Sequence, residues 1–408
     1  MDKDIVVGLD VGTTKICALV GKVKEDNSLE IIGIGTHPSN GLRKGVVVDI
    51  DETVHSIEEA VEKAEKDSGC EIDAVYVGIA GGHIKSFNSD GSIPIKHKEI
   101  TKKDLERVID VASAVAIPMD REIIQTIVQE YKVDDEEGIQ NPIGMSGVRL
   151  GVRLHIITAA VTAAQNIIKC VNNAGLDVCD IILQAIASSD AVLKEDEKKG
   201  NVILIDLGGG TTDMAVFSSG AIRHTSVLPL GGNNLTYDLS VGLKTSQKEA
   251  EEIKKKYGCG SVSLVSEDEF VEIKGFYENG LRKVSRKRIA EILEPRVEEI
   301  FSLLYEDLIR SEVDVELNCG VVITGGSALL DGIVEVAERI FRVPARVGYP
   351  RYVGGRSEIA REPMYATALG LLMYGARERK KKRKFRIRDS NIFLRIMNTM
   401  KKWFSEVF

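Results

Sequence analysis

The chain reads as an α/β protein of two similar domains, and three observations predict it. A strand, glycine turn and second strand occur twice, at residues 5–21 (IVVGLDVGTTKICALVG) and 202–217 (VILIDLGGGTTDMAVF). Short β-rich runs alternate with helical periodicity around both copies. A stretch of different texture, rich in Lys, Asp and Glu, interrupts the first domain at 83–158. Internal repeats set the architecture before any single element does. Aligned on their aspartates and threonines, Asp10 matches Asp206 at an offset of 196, and Thr13 and Thr14 match Thr211 and Thr212 at 198. On that alignment the second copy has two extra glycines and carries Asp213 where the first has Lys15.

After the first hairpin come strands at 29–36 and 46–50. A helix follows, with Asp51 or Thr53 near its cap and Val54, Ile57, Ala60 and Val61 on its apolar face. A strand at 73–79 stops at Ala80, Gly81 and Gly82. The interrupting segment holds a SIPI strand, a helix over 102–116 ended by Pro118, and strands at 123–133 and 148–158. Neither glycine turn lies in it, so it reads as an inserted subdomain. A helix over 159–175 with a glycine C-cap, a strand at 181–185 and a helix from 187 return the chain to the first domain.

The second domain starts near Gly200. Its hairpin is followed by a strand at 222–230 and by Gly231, Gly232 and Asn233, opening a helix whose first N–H groups can face an anion. Then come a polar helix over 248–257, short strands and turns at 261–286, and a long helix over 287–309. A strand at 319–324 runs into Gly325, Gly326 and Ser327, read as opening a helix, and 364–375 is a helix of small residues.

At 408 residues the chain exceeds one ordinary domain and buries a core without staples. The six cysteines show no C-x-x-C spacing and read as reduced thiols of a cytosolic protein. The start is a charged lead into a strand rather than a signal peptide, and no apolar run reaches the roughly 18 residues that span a bilayer. Residues 377–408 carry 12 Lys/Arg against three Asp/Glu, or +9, so the other 376 residues carry −17 of the total −8. A body that acidic repels nucleic acid, and no nucleic-acid partner is expected.

Glycine turns admit an anion close to backbone N–H groups, and threonine hydroxyls add donors. An aspartate at each strand end, Asp10 and Asp206, suits Mg²⁺ held through water against phosphate oxygens. One such turn can be a bare hairpin; two suit a polyphosphate. The pair resembles the phosphate loops of the actin-like ATPase superfamily. That resemblance implies ATP and Mg²⁺, with Gly12, Thr13, Thr14 and Lys15 on one side and Gly208, Gly209, Gly210, Thr211 and Thr212 on the other.

Three further groups follow from the same resemblance. Gly325, Gly326 and Ser327 form either a tight turn or the superfamily's adenosine motif, and Gly232 and Asn233, at the helix start that can face an anion, are further cofactor contacts. Glu251 and Lys254 share a helix face, as an exposed ion pair or as the pair that flanks the adenosine in bacterial actins. Gln184, at the head of QAIASSD, is a core-edge residue or the group that orients a water for hydrolysis. An amide is a poor base, so any turnover is expected to be slow, in the service of assembly.

The tail is basic over 377–388, nine residues of twelve, and then amphipathic. Phe393, Ile396, Met397, Met400, Phe404, Val407 and Phe408 follow helical spacing, with Trp403 beside them and Arg395, Lys401 and Lys402 off that face. This pattern suits a helix lying in a membrane surface next to a polybasic stretch; a partner-binding segment or a helix docked on the body are the alternatives.

Segments such as HIKSFNSDGSIPI, NPIGMSGVRL, EILEPRVEEIF and VVITGGSALLDGI, with the terminal amphipathic stretch, resemble the FtsA family across nearly the full chain. Membership implies an actin-like fold with a 1C subdomain in place of actin's 1B: 1A at 1–82, 1C at 83–158, 1A again at 159–199, 2A at 200–231, 2B at 232–309, 2A at 310–362 and the closing 1A helix at 363–376. A basic linker at 377–389 and a membrane-targeting helix at 390–408 complete it. The resemblance also implies filaments of the protein itself, anionic membrane lipid, later division proteins and the FtsZ C-terminal tail as partners. The FtsZ tail would meet Arg286, Lys287, Arg288, Arg296 and Glu299. The implied place is the cytoplasmic face of the membrane at mid-cell. Two departures stand out: Gln184-Ala185 where the family often has Glu-Pro, and Gln125 where it often has His. A sugar kinase or a PilM-like assembly protein would share the loops, but neither needs the tail.

Overall fold

A computed structural model describes residues 4–275, 281–311, 313 and 317–378. In chain order it has β1 (Ile5–Val11), β2 (Lys15–Val23), β3 (Leu29–Pro38), β4 (Leu42–Arg43), β5 (Val46–Val47), α1 (Ile50–Ser68) and β6 (Ala74–Ile79). Next come β7 (Lys85–Pro94), α2 (Lys102–Ser113), β8 (Arg121–Val133), β9 (Glu136–Ile139) and β10 (Arg149–Ala160). Then α3 (Val161–Asn173), β11 (Asp177–Leu183), α4 (Gln184–Val192) and α5 (Glu195–Lys199) lead to β12 (Val202–Leu207), β13 (Thr212–Ser218) and β14 (Ala221–Leu228). The rest is α6 (Gly232–Gly242), α7 (Gln247–Tyr257), β15 (Phe270–Lys274), β16 (Leu281–Ser285), α8 (Arg286–Arg310), β17 (Val321–Thr324), α9 (Ile333–Phe341), β18 (Ala345–Val347) and α10 (Ala366–Glu378).

Two compact units emerge. One takes the described residues up to 79, 161–191 and those from 349 on; the other takes 80–160 and 192–348. The first holds a sheet of order β11-β6-β1-β2-β3, the second a sheet of order β14-β13-β12-β17-β18. Both have an antiparallel three-strand meander, β1 to β3 and β12 to β14, followed by two parallel strands. The duplicated α/β domain expected from the repeat is therefore present. In the second unit Ile203, Ile205, Met214 and Val216 from the sheet pack with Leu235, Leu239, Phe301 and Val336 from the helices. Removing a fully buried ring such as Phe301 costs about 3–5 kcal/mol.

The insert is a four-stranded sheet, β7-β10-β8-β9, with α2 packed on it through Val108 and Ala112. A Cβ on Gly91 would come within 2.7 Å of Ala112, so glycine lets the helix lie against the strand. The expected helix over 102–116 stops at Ser113. Ser89 on β7 donates to the carbonyl of Ala112 at 2.7 Å, so tertiary contact ends the helix before Pro118 does. Asp49, not Asp51 or Thr53, caps α1, accepting from the Glu52 N–H. Helix α4 begins at Gln184 itself, and after β17 the chain makes a 3₁₀ turn at Gly326–Leu329 before α9 starts at Ile333. No helix among the described residues is long and apolar enough to cross a membrane.

Candidate functional site

In the first unit the turn between β1 and β2 closes with the Gly12 N–H donating to the Lys15 carbonyl at 3.1 Å. A Cβ on Gly12 would lie 2.7 Å from that carbonyl oxygen, so the turn needs glycine. Thr13 Oγ1 accepts from the Gly45 N–H at 3.0 Å, and Thr14 is exposed. Asp10 is buried, and its Oδ1 accepts from Gln184 Nε2 at 3.0 Å. A carboxylate only accepts, so this bond turns the amide's NH₂ end toward Asp10. Lys15 does not stay with the turn: Nζ donates to the Met364 carbonyl at 2.7 Å and sits 4.0 Å from the centre of the Tyr365 ring.

In the second unit the equivalent turn is clamped from below. The Gly232 and Asn233 N–H groups donate to the carbonyls of Gly208 and Gly209 at 2.9 and 2.7 Å, and Ser327 Oγ donates to Gly208 at 3.3 Å. The first N–H groups of α6 thus hold the glycine turn instead of pointing at an anion. A trans peptide sets each N–H opposite the preceding carbonyl. With both carbonyls clamped, the Gly209 and Gly210 N–H groups face the other way, as an anion cradle requires. Thr212 is buried and donates to the Leu230 carbonyl at 2.8 Å. Asp206 is buried beside Gly325, which has φ +90°; a Cβ there would overlap Asp206 Oδ1 and lie 2.6 Å from the Leu207 carbonyl.

Glu251 and Lys254 are more than a surface pair. Lys254 Nζ reaches Glu251 at 2.7 Å, Thr236 Oγ1 at 2.9 Å and the Gly232 carbonyl at 3.0 Å. Burial pushes the Lys254 ammonium below the ordinary lysine range, with Glu251 opposing. Burial also raises the Glu251 carboxyl, but Lys254 and Thr236 outweigh it and hold it below the usual carboxylate range. Thr236 is the hub that the sequence reading missed. Its signal was its place four residues after Gly232 on α6, facing the i,i+3 pair of α7.

Strand registers correct the alignment of the two copies. Val11 pairs Ile16, and Leu207 pairs Thr212, so both turns have four residues. Gly208 N–H donates to Thr211 at 3.0 Å, as Gly12 does to Lys15. The offset is therefore 196 throughout, with no extra glycines: Thr13 and Thr14 match Gly209 and Gly210, and Lys15 matches Thr211. Identity of residue type drew the threonines together, while hydrogen-bond geometry sets the true match.

On α8 and its flanks every expected FtsZ contact is ion-paired. Arg286 pairs with Glu269 and Asp331, Lys287 with Glu267, Arg288 with Glu291, and Arg296 with Asp238 and Glu299. Gln125 lies on β8 of the insert. The expected membrane residues Phe393, Ile396, Met397, Met400, Lys401, Trp403, Phe404 and Val407 lie outside the described residues.

The family described as cell division protein FtsA matches residues 203–370, and the family described as the SHS2 domain inserted in FTSA matches 81–158. The cell division protein FtsA of Pseudomonas aeruginosa is 48% identical over 371 residues, 91% of this chain and 89% of that protein. That of Escherichia coli is 40% identical over 381 residues, 92% of this chain and 91% of that protein. Among solved structures, a PilM-PilN type IV pilus biogenesis complex matches with TM-score 0.65 at 16% identity, covering 91% of this chain and 98% of that one. MreB5 of Spiroplasma citri bound to ADP matches with TM-score 0.53 at 17% identity, over 93% of this chain and 98% of that one. These structural likenesses show an actin-like fold.

Proposed function

The chain belongs to the FtsA family of cell division proteins, and from that premise we propose that it binds ATP with Mg²⁺, polymerises on the inner face of the cytoplasmic membrane at mid-cell, and anchors the FtsZ ring there. The observation that carries the nucleotide part is the clamped turn at Gly208–Gly210, with Asp206 and Gly325 packed too closely for any side chain. Gly12, Thr13 and Thr14 form the matching phosphate turn of the first unit. Asp10 and Asp206, hard oxygen donors, suit Mg²⁺ held through water. Gly325, Gly326 and Ser327, with Gly232, Asn233, Glu251 and Lys254, take the adenosine. Bound Mg-ATP supplies a γ-phosphate whose presence or loss distinguishes two states of a filament subunit. Gln184, fixed on Asp10, orients a water for slow hydrolysis.

The FtsZ tail docks along α8. Surface ion pairs contribute about 0–1 kcal/mol each, so Arg288 can exchange Glu291, and Lys287 can exchange Glu267, for a peptide's carboxylates at little cost. The basic linker and amphipathic stretch bind anionic lipid, and the insert meets neighbouring subunits and later division proteins.

Pelleting with anionic liposomes and a labelled FtsZ tail peptide tests this, using the full chain and a form lacking 389–408. The peptide should reach the liposomes only with the full chain. Lipid binding by the truncated form removes the anchor assignment, and lipid binding without peptide removes the FtsZ role.

A further inference from the structure

We infer that α4 and the turn preceding α10 carry the state of the phosphate site to the root of the C-terminal tail. The inference rests on the nucleotide reading above and adds a regulation of that site. Two ties converge on α10. The first is Lys15, which leaves the glycine turn for the Met364 carbonyl and the Tyr365 ring, the two residues immediately before α10. The second is α4. Its first residue, Gln184, donates to Asp10. One turn on, a Cβ on Gly370 of α10 would overlap the Ala187 carbonyl, so the two helices touch backbone to backbone. Ser188 and Thr367 hydroxyls meet at 3.0 Å in the interior. Near the far end of α4, Asp190 pairs with Arg377 at 2.8 Å, in the last turn of α10.

A nine-residue helix thus touches Asp10 at one end and the last turn of α10 at the other. Close-packed backbone has no flexible side chain to absorb a displacement, so movement of α4 moves α10. Tyr374 donates to Asp180 at 2.9 Å and fixes the other side of that turn on β11. Beyond it the sequence enters the basic run.

The ligand makes the differential contacts that a population shift requires. A phosphate competes with the Met364 carbonyl and the Tyr365 face for the Lys15 ammonium. A cation near Asp10 competes with the Gln184 amide for a carboxylate oxygen. Both changes release or tighten ties that end on α10.

The test is amide hydrogen exchange over residues 366–378 of the full chain, with and without saturating Mg-AMPPNP, beside a direct titration of nucleotide affinity. Wild type should bind nucleotide and change exchange in the last turn of α10 by threefold or more. Arg377→Gln should keep its nucleotide Kd within twofold yet lose that change, and Arg377→Lys should restore it. Tyr365→Leu, which keeps an apolar side chain but removes the ring face, should halve the change or more. Absent nucleotide binding in wild type overturns the nucleotide reading itself. Nucleotide binding with unchanged exchange over 366–378, or a full response in Arg377→Gln, overturns this inference alone.

Discussion

Asp10 faces Cys17 across the first hairpin, whereas Asp206 faces Asp213 across the second. Burial pushes the Cys17 thiol up to about 12, so the first copy sets a neutral group beside its aspartate and the second sets another carboxyl. Their surroundings differ as well. The second turn is clamped by α6 and the 3₁₀ turn after β17, while the first is tied through Lys15 and Gln184 to α10 and α4. One strand order has thus yielded a preformed cradle and a turn wired to the chain's last described helix.

The exposed edges of the two sheets diverge in the same way. Edge strand β3 is covered by the returning chain, where the Arg356 N–H donates to Ile31 at 2.9 Å and Gly354 accepts from Ile31 at 3.3 Å. Edge strand β14 is covered by side chains of the insert. Gln129, Asn88 and Ser86 donate to the carbonyls of Ile222, Arg223 and Thr225. His155 completes the set: Asn88 Oδ1 already accepts from Gln129, so it takes the His155 Nδ1–H, and Nε2 accepts from Thr225. An uncovered edge invites pairing with other chains, so each copy needed a cover, and each found its own.

The comparison is broken most severely at Gly325. Gly325→Ala should destabilise the second unit by about 2–4 kcal/mol through positive φ and overlap with Asp206, read by urea unfolding, with nucleotide binding lost. Gly12→Ala, facing only the Lys15 carbonyl, should cost about half of that; equal costs would mean that the second cradle is no more tightly built.

The covered β14 edge is tested by pH. Burial holds His155 at about 3, against about 6.5 unfolded, so between those values the unfolded chain binds the extra proton. Stability from this group is complete above pH 6.5 and falls as pH drops, by about 2 kcal/mol at pH 5. His155→Gln should flatten that slope; an unchanged slope would place the dependence elsewhere.

Lys254→Met should weaken nucleotide binding about 10- to 30-fold by removing the ammonium that Glu251, Thr236 and the Gly232 carbonyl share, measured by titration. An effect under twofold would make the pair structural. The mildest test is Asp67→Asn, which loosens Arg356 from the β3 edge. Half-exposed pairs of this kind contribute about 0.5 kcal/mol, so a change in Tm of several degrees would show a more critical cover.

Much of this was legible beforehand. Glycine, aspartate and threonine in two β-flanked runs sufficed for the duplicated hairpin, because φ/ψ freedom and strand propensity are local. The insert was legible because its charged texture and lack of a turn motif set it apart. The role of Thr236, the cap at Asp49 and the stop of α2 at Ser113 were not, since each depends on a partner distant in the chain or on a choice among equivalent local candidates.

Local chemistry in the chain was enough to settle the duplicated α/β architecture and the identity of both turns. Only the folded structure decided that the turns match at a constant offset, that α6 clamps one of them, and that Lys15 leaves its turn for Tyr365. Hydrogen-bond register and the reach of a long side chain depend on what the rest of the chain brings alongside, and no residue carries that in its own spelling.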